Sequence, residues 1–294
     1  MIEQRTENGA GRRRAAEIRT KVERWFGREL NSQAQPRFAF VDELSALEPP
    51  MPAVRAPALN PGEIDLRHGW TYSVKGGGAA LAAAVERFRA YASTSGASSA
   101  QSKRFDLHVS NTGDLQPGDF RINAEPDRIQ ITAPTERAAI RALYHLRGDM
   151  DRRHAPVVTE GEAVSRETWT PRFLYSYFAL YGDPLIEGEA AGLPDGYLDR
   201  AAANGIEGVW VQGVLNTLAP SKAFPEFGKG WELRLKNLRA LVTRAEKFGL
   251  RVFLYLNEPR AMPDAFFRRR PDMRGTKQAD HYAMCTSNAE VRAW

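Results

Sequence analysis

Cysteine is nearly absent from this sequence. Cys285 is the only one among 294 residues, so no internal disulfide can form. It reads as a loop or core thiol, because no basic partner accompanies it. Histidine is also sparse: His68, His108, His145, His154 and His281 are scattered. None pairs with a cysteine or an acid at a metal-ligand spacing, so neither a metal nor another cofactor is expected. Long apolar runs are missing too, and none approaches the roughly 18 residues of a membrane span. The opening MIEQRTENGAGRRRAAEIRTKVERWF lacks the apolar core of a signal peptide. The expectation is a cytoplasmic chain with no membrane partner.

Charge of one sign is not in great excess. The net charge is +5, with Asp and Glu abundant beside Lys and Arg. Nucleic-acid binders concentrate their positive charge. The two basic runs here, Arg12–Arg14 and Arg268–Arg270, read as solvated surface, so no nucleic-acid partner is expected. Phosphate loops are missing as well. Gly76-Gly77-Gly78 has neither the Lys-Ser/Thr of a Walker motif nor the spacing of a dinucleotide fingerprint, and reads as a strand-to-helix turn.

What is present is enough apolar material for a core, 43% of residues, in segments of clear period. Residues 1–48 form an N-terminal arm, with a helix expected over 14–30. Residues 49–61 (PPMPAVRAPALNP lies within 49–61) read as a Pro-rich linker. Residues 62–168 read as a small α/β domain. GWTYSV is a strand, GGGAALAAAVERFRAYA turns on glycine into a helix, and FDLHVS is a second strand. DFRINAEPDRIQITAP is a hairpin, and TERAAIRALYHLRGDM is a helix with Thr135 placed to cap it. APVVTEGEAV follows as a last strand or extended exit. The spacing predicts an open sheet covered on one face by two helices.

From residue 169 the texture changes. RFLYSYFAL, EGVWVQGV and LRVFLYLNEP are apolar strands that alternate with two helices, one closed by Gly205 and one by Gly249. Apolar strands without strict alternation are expected in a parallel sheet buried on both faces. Residues 169–294 hold about three such units, against the ~250 residues of a full (β/α)8 barrel. TSNAEVRAW reads as an N-cap, Ser287 or Asn288, and the first turn of a helix. The chain is therefore expected to be C-terminally truncated, with exposed strand edges prone to aggregation. A doubly wound nucleotide-binding sheet is the competing architecture. It requires a glycine-rich phosphate turn, which none of the three strands shows.

The order of elements resembles glycoside hydrolase family 20, the β-N-acetylhexosaminidases, and relatives such as the α-glucuronidases. DRIQITAP with the helix after it is similar to the family's small-domain segment. TPRFLYSYF is similar to its first barrel strand, AAANGIEGVWVQ to its first-helix exit and second strand, and LRALVTRAEKFGLRVFLYLNEP to its second helix and third strand. The likeness covers roughly residues 100–260. It implies hydrolysis of O-glycosyl bonds in oligo- or polysaccharides, with N-acetylhexosaminides one candidate class, on a carbohydrate substrate. It also implies a sugar-binding role for Arg172, whose planar fork suits hydroxyl recognition; a surface ion pair is the other reading of this residue. The sequence departs from the family at VWVQGVLNT, where Gln212 and Asn216 replace His, Trp and acidic residues. It departs again at Asn257-Glu258-Pro259-Arg260. These departures bear on sugar preference rather than architecture.

Barrel chemistry sits at the carboxyl ends of strands. Substrate contacts are therefore expected from Tyr177, Gln212, Asn216, Asn257 and Glu258, and the resemblance adds Arg172. Tyr175 and Tyr177 alternate on one strand face, and Trp210, mid-strand, reads as core. Glycosidases need a pair of carboxyl groups, and Glu258 is the one acid at a strand end. In the family the acid pair follows the fourth strand, which puts the catalytic residues beyond residue 294. Glu258 is left with three roles open: catalysis, sugar contact or loop bracing, and a salt bridge with Arg260 or a neighbour. A non-catalytic carbohydrate-binding or scaffold protein of the same architecture is the alternative function. The sequence sets no oligomeric state.

Overall fold

The computed structural model describes residues 44–47, 58–92, 103–175, 183–187, 193–256, 261–262, 264–278 and 281–294. The helix expected over 14–30 lies outside them.

The first layer is built from β1 (Glu63–Asp65), β2 (Trp70–Lys75), α1 (Ala79–Ala92), β3 (Lys103–Val109), β4 (Phe120–Glu125), β5 (Arg128–Ala133), α2 (Glu136–Arg153), β6 (Val157–Thr159) and β7 (Gly161–Ser165). Five strands form one sheet in the order β2-β3-β5-β4-β7. β2, β3 and β5 run parallel, while β4 is antiparallel to both β5 and β7. The alternation of DFRINAEPDRIQITAP explains the burial. Phe120, Ile122 and Ala124 of β4 and Ile129, Ile131 and Ala133 of β5 point to one buried face. Leu81, Val85 and Phe88 of α1 are buried, as are Ile140, Leu143 and Met150 of α2. The opposite face is polar. There Asp106 is buried between Arg104 and Arg128, 3.3 Å from each.

The segment APVVTEGEAV does not form one strand. It breaks into β6, which pairs antiparallel with β1, and β7, which closes the five-stranded sheet beside β4. Gly161, at φ +123°, starts β7 in a conformation that favours glycine.

Thr135 caps α2 as the sequence predicts, its side-chain oxygen accepting from Ala138 N at 3.2 Å. The glycine turn before α1 is also occupied by protein. Glu136 Oε1 accepts from Gly78 N at 3.0 Å and from Leu81 N at 2.7 Å. A carboxylate from α2 thus satisfies the amides that a phosphate would need.

The second layer contains β8 (Phe173–Tyr175), α3 (Pro184–Glu187), α4 (Asp195–Ala203), β9 (Gly208–Gly213), α5 (Leu215–Leu218), α6 (Trp231–Glu246) and β10 (Arg251–Leu256). The three strands are parallel, in the order β10-β9-β8. Among the described residues they form an open sheet, not a closed barrel. The order is monotonic, so the sheet lacks the reversal point at which doubly wound folds bind nucleotides. Val209 and Val211 are buried in a cluster with Leu198, Ala201 and Ala202 of α4 and Leu241 and Ala245 of α6. Leu235, Leu238 and Val242 of α6 are half-buried.

The sequence reading ended on a third strand and a helical turn. The structure adds an antiparallel sheet after β10. Its strands are β11 (Ala261–Met262), β12 (Arg274–Gln278) and β13 (His281–Met284), in the order β11-β13-β12. α7 (Asp264–Arg269) and a short 3₁₀ turn at Pro271–Met273 separate β11 from β12. α8 (Ala289–Ala293) follows, capped by Asn288. Phe224 and Phe227, from the loop after β9, share an apolar cluster with Met262, Phe266, Phe267, Met273, Met284 and Val291. No helix among the described residues is long and apolar enough to cross a membrane.

Candidate functional site

The parallel sheet has two ends of different chemistry, set by strand direction. Phe173, Gly208 and Arg251 stand level at the amino end. Glu207 lies just before β9, fully buried. Its Oε2 accepts from Thr170 Oγ1 at 2.9 Å and from Arg251 Nη2 at 3.1 Å. Arg172 Nη2 lies 2.9 Å from Glu207 Oε1, an ion pair without hydrogen-bond alignment. Arg172 Nε donates to Gly205 O at 2.9 Å. Glu167 joins the same cluster, receiving Arg141 Nη1 at 3.0 Å and Arg137 Nη1 at 3.3 Å. Burial opposes ionisation of Glu167. The hydrogen bond from Arg137 and the charges of Arg137 and Arg141 outweigh it, and hold the carboxyl below its ordinary value.

Arg172 therefore stands at the amino end, ion-paired to a buried glutamate, and is not grouped with the residues of the carboxyl end. Sequence reading missed Glu207 and Glu167. Glu207 sits between apolar residues in NGIEGVW, and its burial was the available signal.

The carboxyl end is polar in a different way. Gln212 is level with Tyr255 on β10. Asn216, on α5, donates from Nδ2 to Met262 Sδ at 3.2 Å. This contact ties the loop after β9 to the antiparallel sheet. Gln212 and Asn216 are thus held on the same side of the molecule. Tyr177, Asn257 and Glu258 lie outside the described residues. Among the described residues no group of His, Cys, Asp and Glu is arranged to hold a metal ion.

The face of the parallel sheet away from α4 and α6 is aromatic. Phe173 and Phe253 approach to 5.3 Å between ring centroids. Tyr175 meets Trp210 edge-on at 3.9 Å, and Trp210 meets Tyr255 at 4.7 Å. Phe173, Tyr175 and Tyr255 remain 46%, 39% and 40% exposed. Trp210, read from its mid-strand position as core, is half-buried at the centre of this patch. The period-two spacing of Phe173/Tyr175, Trp210/Gln212 and Phe253/Tyr255 carries the signal for one shared face. An aromatic surface next to amide side chains can stack on a sugar ring and bond its hydroxyls.

No protein-family model matches this chain, and no curated protein matches it. Solved structures do. The chain is similar to a family 20 β-N-acetylhexosaminidase from Streptomyces coelicolor A3(2), with TM-score 0.52 and 11% identity over 85% of this chain and 54% of that one. It is similar to a family 20 chitobiase from Flavobacterium johnsoniae, with TM-score 0.51 and 13% identity over 80% and 40%. It is also similar to a family 138 glycoside hydrolase targeting pectin rhamnogalacturonan II, with TM-score 0.51 and 14% identity over 69% and 26%. At such identities the likeness is one of fold. The chain has a glycoside-hydrolase-like mixed α/β fold, and it spans between about a quarter and about half of the length of these structures.

Proposed function

We propose that this chain is part of a glycoside hydrolase that acts on the glycosidic bonds of oligo- or polysaccharides. In this reading residues 62–168 are the small α/β domain, and residues 169–294 are the first three β/α units of a (β/α)8 barrel. The observation that carries the reading is the aromatic inner face of the parallel sheet, Tyr175, Trp210 and Tyr255, with Gln212 and Asn216 at its carboxyl end. In a barrel that face is the interior, and that end is where substrate binds. A mutant β-hexosaminidase from Streptomyces plicatus, TM-score 0.52 and 11% identical over 79% of this chain and 52% of that one, holds the product GlcNAc. That supports a sugar ligand, with N-acetylhexosaminides the first class to try.

Gln212 and Asn216 are amides. They bond hydroxyls but transfer no protons, so the acid and base of hydrolysis must be other residues. In the resembled family that carboxyl pair follows the fourth strand. The same fact favours a second reading, a carbohydrate-binding protein without catalysis.

The test is titration of the folded chain with chito-oligosaccharides and neutral plant oligosaccharides, followed by calorimetry and tryptophan fluorescence. Binding that quenches Trp210 and weakens roughly tenfold in Tyr255→Ala and Gln212→Ala is expected, since one stacking or hydrogen-bond contact is worth about that factor. No binding of any saccharide overturns the reading.

A further inference from the structure

The antiparallel sheet after β10 carries a second constellation, separate from the aromatic face. Tyr282, on β13, is bracketed by two cations from β12. Arg274 Cζ lies 3.5 Å from the centre of the Tyr282 ring, and Lys277 Nζ lies 5.9 Å from it. Lys277 is directly opposite Tyr282 in the sheet register, and Met262 is opposite Tyr282 on the other side. Met262 is the residue that accepts the hydrogen bond from Asn216. A single cross-strand row thus leads from Lys277 through Tyr282 and Met262 to the carboxyl end of the parallel sheet.

Two nearby arginines, Arg269 and Arg270, share one carboxylate. Glu226 receives Arg270 at 2.6 and 3.1 Å and Arg269 at 3.5 Å. Among the described residues no carboxylate lies within ion-pair distance of Arg274 or Lys277, and both side chains are exposed. Stacking on Tyr282 fixes the plane of the Arg274 guanidinium, so its fork is oriented before any ligand arrives. Lys277 supplies a second, flexible positive charge. Two cations without a carboxylate partner among the described residues suit an anionic group, and on a carbohydrate a planar carboxylate is the one an arginine fork can hold by two bonds.

We propose that Arg274 and Lys277 form a subsite for the carboxylate of an acidic saccharide, a uronate residue, with Tyr282 holding Arg274 in place. This rests on the carbohydrate reading above and narrows it to acidic chains.

The experiment compares binding of oligogalacturonate with binding of neutral chito-oligosaccharide, in the unaltered chain and in Arg274→Ala, Lys277→Ala and the charge-preserving Arg274→Lys. Both positions are exposed, and circular dichroism melts establish that each variant is folded. Oligogalacturonate is expected to bind more tightly, to weaken as salt is raised, and to lose roughly tenfold in affinity on either alanine substitution. Arg274→Lys should keep part of the charge effect but lose the fork. Neutral saccharide should bind the three variants and the unaltered chain alike. Binding of neutral saccharide without any preference for oligogalacturonate overturns the subsite and leaves the carbohydrate reading standing. Equal binding of oligogalacturonate to the unaltered chain and both alanine variants also overturns it. Failure to bind either saccharide overturns both.

Discussion

Arg147 and Asp199 form a buried ion pair, Nη1 to Oδ2 at 2.8 Å, that joins α2 of the five-stranded layer to α4 beside the parallel sheet. Tyr144 donates to the other oxygen of Asp199 at 2.7 Å. Burial, and then the charge of Asp199, push the Tyr144 phenol far above its ordinary value, so it stays a donor at every accessible pH. Arg147 also lies over the Tyr91 ring at 4.5 Å.

Asp199→Ala removes the acceptors of the Arg147 and Tyr144 bonds and the negative charge of the pair. A loss of about 3–5 kcal/mol is expected, the usual cost of breaking a buried pair from one side. Asp199→Asn keeps one acceptor oxygen and should cost less. Urea unfolding midpoints measure both, and a loss under about 1 kcal/mol for the alanine variant would place the pair among the weak surface bridges.

Acidification should loosen the same junction at its other polar cluster. Glu167 titrates below its ordinary value in the folded chain. Its contribution is therefore complete above the unfolded glutamate value, about 4.3, and is lost as pH falls through the lower folded value. Unfolding free energy plotted from pH 6 downward should fall less steeply in Glu167→Gln than in the unaltered chain. Superimposable slopes would mean that Glu167 is not held by its arginines.

At the start of α1, Glu136→Gln removes a charge-assisted cap from Gly78 N and Leu81 N. About 1 kcal/mol of stability should be lost, and the first turn of α1 should exchange its amide hydrogens faster. Unchanged protection at Leu81 would show that the cap is dispensable.

The antiparallel sheet depends on its aromatic cluster. Phe224 is fully buried and lies 5.7 Å from both Phe266 and Trp294, centroid to centroid. Phe224→Ala should cost about 3–5 kcal/mol. Trp294 fluorescence should shift red before the rest of the chain unfolds. A single coincident transition at every probe would count against a local cluster.

Much of the five-stranded layer was legible because its signals are local. Strict alternation marked the β4–β5 hairpin, Thr135 marked the start of α2, and the choice of Ser287 or Asn288 marked the start of α8, where Asn288 is the cap. The β1–β6 pair was not legible, because three-residue strands carry no periodicity and find each other only in space. The antiparallel sheet after β10 was hidden for a related reason. RRRPDMRGTKQ reads as polar surface until Glu226 and the rings of Phe224 and Phe266 are placed beside Arg270. At the candidate site, the position of Gln212 and Asn216 at and after the end of β9 followed from strand direction. Arg172 opens the strand RFLYSYFAL, so its place at the amino end was legible as well; its partner Glu207 was not, since position along a strand says nothing about which buried acid waits at its foot.

The monotonic order β8, β9, β10 has a consequence for how the chain assembles as it leaves the ribosome. β9, on emerging, finds β8 already present, and β10 then finds β9, so this sheet can grow by accretion with modest loop closure at every step. β1 meets the opposite situation. Glu63 must wait for Thr159, and nearly all of the five-stranded sheet is synthesised before that pairing can close.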